Sequence, residues 1–139
     1  MERCLAPFAG ESGALLIGTD LPSLPDGALQ RLQALLERRK IVLGPTLDGG
    51  YYAIGVRGAV PPIFRGIRWS SRLVFEETVR RLKGAGRSAA IGPVWHDIDR
   101  WSDLRLLCGY LSHLELKKEH PCPATERVLR RLGLLARRG

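Results

Sequence analysis

The sequence predicts an α/β domain, a sheet flanked by helices, and three stretches carry this prediction. Residues 14–19 form a short continuous apolar run, as in a strand buried on both faces. Residues 23–39 repeat leucine at helical spacing. Residues 41–56 hold two apolar runs separated by Asp48-Gly49-Gly50, which indicates strand, loop, strand. At 139 residues, the chain is expected to form a single domain, residues 1–139.

The first long helix is predicted to open over residues 23–26 and to run to about Arg39, with Ser23 as N-cap and Pro25 near its first position. A short connection leads to the strand at residues 41–43. Strand, helix and strand in this order form a βαβ unit, so we expect the two strands to be parallel with a right-handed crossover. The predicted buried stripe of the helix is Leu29, Leu32 and Leu36.

Five further elements follow the strand at residues 51–56. They are a helix over residues 72–83, extended pieces at residues 88–91 and 94–98, a helix from Ser102, and a last helix over residues 124–136. The predicted buried stripes of these helices are Phe75, Val79 and Leu82; Leu104, Leu107 and Leu111; and Val128, Leu132 and Leu135.

The net charge of +8 suits either nucleic acid or a phosphorylated small substrate. The basic residues come in small groups, mostly towards the ends of predicted helices, where cations complement the helix dipole. Aromatic residues of the kind that stack bases are not interleaved with them. We therefore do not expect nucleic acid as a partner. The groups are Arg38-Arg39-Lys40, Arg80-Arg81, Lys117-Lys118, Arg130-Arg131 and Arg137-Arg138.

The cysteines and the apolar runs bear on the compartment. Cys4, Cys108 and Cys122 are odd in number and form no C-x-x-C pair, so we expect ordinary thiols, at least one of them in the core. The sequence has neither an apolar run of the roughly 20 residues that cross a bilayer nor a signal peptide at its N-terminus. These features predict a cytoplasmic protein without a membrane partner.

Acidic residues follow three of the predicted strands: Asp20, Asp48, and the pair Asp97 and Asp99. Parallel α/β sheets bind ligands beyond the carboxyl ends of their strands. Carboxylates that meet there suit Mg²⁺ or Mn²⁺, which neutralises a departing pyrophosphate or nucleoside diphosphate.

Each of these acids also has a purely structural interpretation. Asp20 can cap a turn, and Asp97 with Asp99 can simply lead into the next helix. Asp48-Gly49-Gly50 can be a hairpin turn in which nothing binds. Trp69 beside Ser70 is compatible with packing or with the wall of a pocket.

Four motifs in order resemble one known family: residues 17–25 (IGTDLPSLP), residues 44–55 (GPTLDGGYYAIG), Trp69-Ser70-Ser71, and residues 95–99 (WHDID). They look like the selenodomain-associated transferase family. That family has a glycosyltransferase-A-like fold and is related in pattern to 2-phospholactate guanylyltransferases and other nucleotidyltransferases.

The resemblance implies a three-layer sheet flanked by helices and a metal-dependent transferase with a nucleotide or nucleotide-sugar donor and an unknown acceptor. It implies that Asp20 and Asp99 are ligands of Mg²⁺ or Mn²⁺. The residues expected to bind substrate are Asp48, Gly49, Gly50, Tyr51, Trp69, Ser70 and Asp97.

One departure from the family matters. Its members begin with a strand, a basic glycine-containing phosphate loop and a further βα unit, which this sequence lacks, and no G-x-G-x-x-G or P-loop pattern replaces them. We therefore expect an N-terminally truncated member, and two hypotheses stay open. One is a transferase that is active in a longer or complemented form. The other is a non-catalytic module that self-associates through the exposed edge of the strand at residues 14–19.

Overall fold

The computed structural model describes residues 1–136; the predicted basic pair Arg137-Arg138 lies outside the described residues. The chain forms a four-stranded sheet with several helices interspersed among the strands, so the α/β class is confirmed. The elements are α1 (Glu2–Leu5), β1 (Ala14–Ile17), α2 (Asp26–Arg38), β2 (Ile41–Pro45), β3 (Tyr51–Val56), a 3-10 turn (Pro62–Phe64), α3 (Val74–Gly84), β4 (Ala90–Ile91), α4 (Trp101–Leu116) and α5 (Pro123–Arg131).

The four strands form one sheet in the order β1-β3-β2-β4. Strand β3 is antiparallel to both β1 and β2, and β4 is parallel to β2. Strands β1 and β2 therefore run in the same direction, as predicted, but β3 lies between them. This order leaves β1 at the edge of the sheet.

The edge position explains why the prediction for β1 is wrong in one respect. Its residues were expected to be buried on both faces, but Ala14–Leu16 are half-buried and Ile17 is 36% exposed. A strand that pairs along one side only lacks the cover that the central strands have. All the residues of β2 are buried, by contrast.

The chain divides into two compact units. Unit 1 comprises residues 1–18 and 26–96 and contains the sheet with α1, α2 and α3. Unit 2 comprises residues 19–25 and the described residues from 97 onward, with α4 and α5. The single-domain assignment stays a prediction. The core of unit 1 includes Ile41, Leu43, Ile54, Val56 and Leu82, and that of unit 2 includes Leu107, Leu111, Cys122, Leu129 and Leu135.

Helix α2 follows its predicted stripe closely, but its predicted cap is wrong. Leu32 and Leu36 are buried, and Leu29 is half-buried beside the buried Ala28. The helix begins at Asp26, so Ser23 lies too far upstream to reach its free N–H groups. Within the described residues, the buried Ser23 hydroxyl has no hydrogen-bond partner.

The predicted stripe of helix α3 is correct in part, because two of its three members pack inward and the third is exposed. Val79 is 39% exposed, whereas Thr78 and Glu77 are buried. The Thr78 hydroxyl donates a 2.8 Å hydrogen bond to the main-chain oxygen of Val74. Glu77 accepts hydrogen bonds from the main-chain N–H and Nε of Arg68, each at 3.0 Å. These partners satisfy the polar groups, so polar side chains occupy the buried face.

The predicted buried stripe is correct for helix α4 and wrong for helix α5. In α4, Leu107 and Leu111 are buried as predicted and Leu104 is half-buried. The α5 stripe is wrong: of its predicted members only Leu135 is buried, whereas Val128 is 48% and Leu132 65% exposed. The buried residues of α5 are Glu126 and Leu129; Glu126 lies 3.0 Å from Nδ1 of His120 and 3.8 Å from the Arg130 guanidinium.

The cysteine prediction is confirmed, because all three are free thiols and Cys122 belongs to the core of unit 2. Within residues 1–136, none of the helices combines the length and the apolar character that a membrane crossing requires.

Candidate functional site

Three carboxylates converge in unit 2. Asp20 follows β1, and Asp97 and Asp99 lie in the extended segment before α4. The main-chain N–H of Ile98 donates a 3.0 Å hydrogen bond to the main-chain oxygen of Asp20, which places the two segments side by side. One carboxylate oxygen from each of the three acids lies within 4.8 Å of the others. Asp20 and Asp99, the predicted metal ligands, thus meet, and Asp97 joins them as a third member.

The donor set of this acidic cluster fits a hard divalent cation. Its ligand atoms are all oxygens, and repulsion among three carboxylates is relieved when a cation lies between them. In octahedral coordination with bonds of about 2.1 Å, adjacent ligand oxygens lie about 3.0 Å apart and opposite ones about 4.2 Å, so side-chain rotations must draw the three oxygens together from their 4.8 Å spread. Asp20 and Asp99 are exposed and Asp97 is half-buried, so further coordination positions face solvent or a ligand.

Asp103 orients the acidic cluster from the first turn of α4. Its Oδ2 accepts hydrogen bonds from the main-chain N–H of Arg100 at 2.8 Å and of Asp99 at 3.2 Å. The hydrogen bond from Arg100, above all, lowers the pKa of Asp103. The sequence identified Asp103 as part of a helix start; the structure shows that it also fixes the main chain of Asp99.

The Asp48-Gly49-Gly50 loop is the turn of the antiparallel β2–β3 hairpin. Oδ1 of Asp48 accepts a 2.5 Å hydrogen bond from the Thr46 hydroxyl and a 3.0 Å hydrogen bond from the Gly50 N–H. The Thr46 hydroxyl is the main cause of a lowered Asp48 pKa, to which the Arg72 guanidinium adds. The hairpin interpretation therefore accounts for the position of Asp48, whose side chain remains exposed.

Gly49 is required by both conformation and space. Its φ is +92°, and a Cβ there would lie 2.0 Å from the main-chain oxygen of Arg72. Its own oxygen accepts a 2.9 Å hydrogen bond from the Phe75 N–H. The hairpin turn therefore packs directly against the start of α3.

Tyr51 and Trp69 meet beside this turn. Their rings make an edge contact at 6.5 Å between centroids, and Trp69 also lies 6.5 Å from Phe64. Burial raises the pKa of Tyr51 to about 12, an effect that the nearby Thr78 hydroxyl partly offsets. Trp69 is 45% exposed, and Ser70 after it has a φ of +59°. We call Asp48, Gly49, Gly50, Tyr51, Trp69 and Ser70 the hairpin site.

The structure thus brings together six of the predicted substrate-binding residues in unit 1 and places Asp97 in the acidic cluster of unit 2. Their roles toward a substrate stay predictions. Sequence reasoning missed Thr46 and Arg72. Thr46 had a local signal, since a hydroxyl two residues before an Asp in a turn is placed to bond its carboxylate. For Arg72, the only sequence signal was its position directly after Trp69-Ser70-Ser71.

The fold is that of a glycosyltransferase-like protein. It is similar to a crystal structure from Desulfovibrio desulfuricans G20 described as a "putative nucleotide-diphospho-sugar transferase", with 30% sequence identity and a TM-score of 0.72. The match covers 87% of this chain and 53% of that one, so the chain spans about half the length of the related structure. Residues 1–71 match the family "Uncharacterized protein conserved in bacteria (DUF2064)", and the chain belongs to this family. No curated protein matches it.

Proposed function

We propose that this chain takes part in metal-dependent transfer from a nucleotide or nucleotide-sugar donor. The observation that carries the proposal is the convergence of Asp20, Asp97 and Asp99, whose ligand oxygens lie within 4.8 Å of one another. The likeness to a protein described as a nucleotide-diphospho-sugar transferase supports the donor class. Sequence analysis assigned Asp97 to the substrate pocket; its place in the cluster favours a third ligand.

The three acids would hold Mg²⁺ or Mn²⁺, which when bound neutralises charge on the departing diphosphate. The protein's own part is to keep the carboxylates close together. Asp103 helps to keep them close by fixing the main chain of Asp99. The hydrogen bond from the Ile98 N–H does the same by fixing the main chain of Asp20. The metal therefore meets a largely preformed site.

The hairpin site is the proposed substrate-facing surface of unit 1. Trp69 offers an exposed aromatic face on which a base or sugar ring can stack. The exposed, ionised Asp48 can accept a hydrogen bond from a ligand hydroxyl. Gly49 stabilises this surface by packing against the start of α3, and Tyr51 stabilises it through its ring contact with Trp69.

The narrower assignment, to the selenodomain-associated transferases, is also a proposal. It rests on the four sequence motifs, two of which form the hairpin site and a third of which supplies Asp97 and Asp99. The fold similarity agrees with it at the level of class.

The proposal is tested by isothermal titration of the chain with Mn²⁺ or Mg²⁺ and a panel of nucleoside triphosphates and nucleotide-sugars. We expect binding of at least one nucleotide to need the metal and to fall at least about tenfold in Asp20→Asn and Asp99→Asn. The matched control is Glu119→Gln, which neutralises an exposed acid of unit 2 outside the cluster. Metal-dependent binding that survives both cluster variants would contradict the proposal.

A second candidate function is a non-catalytic module that self-associates. The observation that favours it is the outer edge of β1, which has no paired strand among residues 1–136 and carries no charge or proline. A groove of about 540 Å³ runs beside this edge, and Phe8 at its rim is 72% exposed. A second copy of the chain that pairs with β1 would cover both the strand edge and the groove. The groove is lined by Cys4, Leu5, Phe8, Ala14, Leu15 and Leu16.

A further inference from the structure

A second cavity in unit 1 is lined mainly by positively charged side chains. Its volume is about 290 Å³. Four of its six lining residues are cationic, and the other two offer one hydroxyl and one buried aliphatic side chain. We call it the cationic pocket: Arg38, Arg39, Lys40, Ile41, Arg87 and Ser88.

The fold assembles this pocket from two segments that are far apart in sequence. Strands β2 and β4 are parallel, with Val42 opposite Ala90, so the starts of the two strands lie together. Residues 38–40 connect α2 to β2, and residues 87–88 connect α3 to β4. The pocket therefore lies where two parallel strands begin. The Asp48 turn follows the other end of β2, about 13 Å of strand away at 3.3 Å per residue.

The helix dipole explains only part of this charge. Helix α2 ends at Arg38 and α3 ends at Gly84, three residues before Arg87, and each C-terminus carries roughly half a negative charge. Together they offset about one of the four cations. Among the side chains that the structure describes, no carboxylate forms an ion pair with Arg38, Arg39, Lys40 or Arg87. About three positive charges are thus left to face the cavity.

We propose that the cationic pocket binds the phosphate or diphosphate group of a small phosphorylated molecule. Arginine presents a planar fork of N–H donors that matches phosphate oxygens, and three of the four cations here are arginines. The Ser88 hydroxyl adds a neutral donor. The volume lies near the lower end of the roughly 300–1,000 Å³ of ligand pockets, which suits a compact ligand rather than a polymer. This site is independent of the acidic cluster and of the proposed transfer.

The test is a titration of the full chain with inorganic phosphate and with pyrophosphate, in EDTA so that no divalent metal can bridge a ligand to the acidic cluster. The test variant is Arg39→Gln with Arg87→Gln, one residue from each segment. The matched control is Lys117→Gln with Lys118→Gln, which removes the same charge from exposed residues of unit 2. A thermal melt of each variant checks that the chain is folded.

We expect the wild type to bind pyrophosphate, the pocket variant to bind it at least about tenfold more weakly, and the control variant to keep its affinity. The same titration with a short single-stranded oligonucleotide shows whether the pocket binds a nucleic-acid polymer instead. The proposal is overturned if the wild type binds neither anion, if both variants lose affinity equally, or if the oligonucleotide binds at this pocket whereas pyrophosphate does not.

Discussion

The main-chain N–H of Ile98 donates a hydrogen bond of 3.0 Å to the main-chain oxygen of Asp20. Asp97 and Asp99, on either side of Ile98, each place a carboxylate oxygen within 4.8 Å of one on Asp20 and of each other. One hydrogen bond therefore brings together three acids that sequence places in two distant motifs. The predictions below test this cluster, the hairpin site and the edge of the sheet.

Gly49→Ala should lower the free energy of unfolding by at least about 3 kcal/mol, because a left-handed residue gains a Cβ that collides with packed main chain. The Cβ would lie 2.0 Å from the Arg72 oxygen. Gly58→Ala is the matched control, since Gly58 has a φ of +82° with nothing within 4 Å of the added atom. It should cost only about 1 kcal/mol. Urea unfolding of both variants measures the difference; equal losses would show that the turn does not pack against α3 as described.

Thr46→Val should raise the pKa of Asp48, because the Thr46 hydroxyl is the main group that stabilises the carboxylate. The pKa of Asp48 in the folded chain lies below its usual value of 3.8. Its contribution to stability is thus present above that value and lost as pH falls through the folded pKa. Carboxyl ¹³C NMR titration of both proteins measures the pKa directly. An unchanged Asp48 pKa in the variant would contradict the assigned hydrogen bond.

Tyr51 should make stability fall as pH rises from about 10 to 12. Its pKa is about 12 in the folded chain and near 10 when exposed, so between these values the unfolded chain releases a proton that the folded chain keeps. The free energy of unfolding therefore decreases across this window. Tyr51→Phe should remove that part of the slope, whereas Tyr110→Phe, at a 42% exposed position, should leave it. Urea midpoints at several pH values decide between these outcomes.

Ile17→Lys should weaken any self-association of the chain at least about tenfold, because a charge on an edge strand opposes pairing with a second copy. Ile17 ends β1 and is 36% exposed. The control is Leu116→Lys, which places the same charge at an 83% exposed position outside the sheet. Light scattering over a range of concentrations gives the mass of each protein. A wild type that stays monomeric throughout would sink the self-association hypothesis.

Sequence alone predicted the α/β class, the hairpin and most element positions, because these depend on local periodicity and on glycine-rich turns. It did not predict that β3 lies between β1 and β2, since apolar pattern does not encode strand order. It also missed the α5 stripe and the inward positions of Glu77 and Glu126. These two glutamates are buried because Arg68 and His120, which lie just before the two helices, pair with their carboxylates.

Sequence predicted which residues belong to the candidate site better than it predicted which of them lie together in the fold. Asp20 and Asp99 were chosen as a metal pair, and the structure adds Asp97 to them. Asp48 was placed with a substrate pocket, but its carboxylate first serves the turn through Thr46 and Gly50. Such short-range hydrogen bonds depend on backbone angles that residue type alone does not fix.

The most direct test of the central claim is to count Mn²⁺ ions bound to the chain by electron paramagnetic resonance, with and without a nucleoside diphosphate. The account predicts one Mn²⁺ per chain, an affinity at least about tenfold lower in Asp20→Asn, Asp97→Asn and Asp99→Asn, and no change in Glu119→Gln. If the wild type binds no Mn²⁺ in either condition, or if the three cluster variants bind it as well as the wild type does, the acidic cluster is not a metal site and the proposed transfer loses its basis.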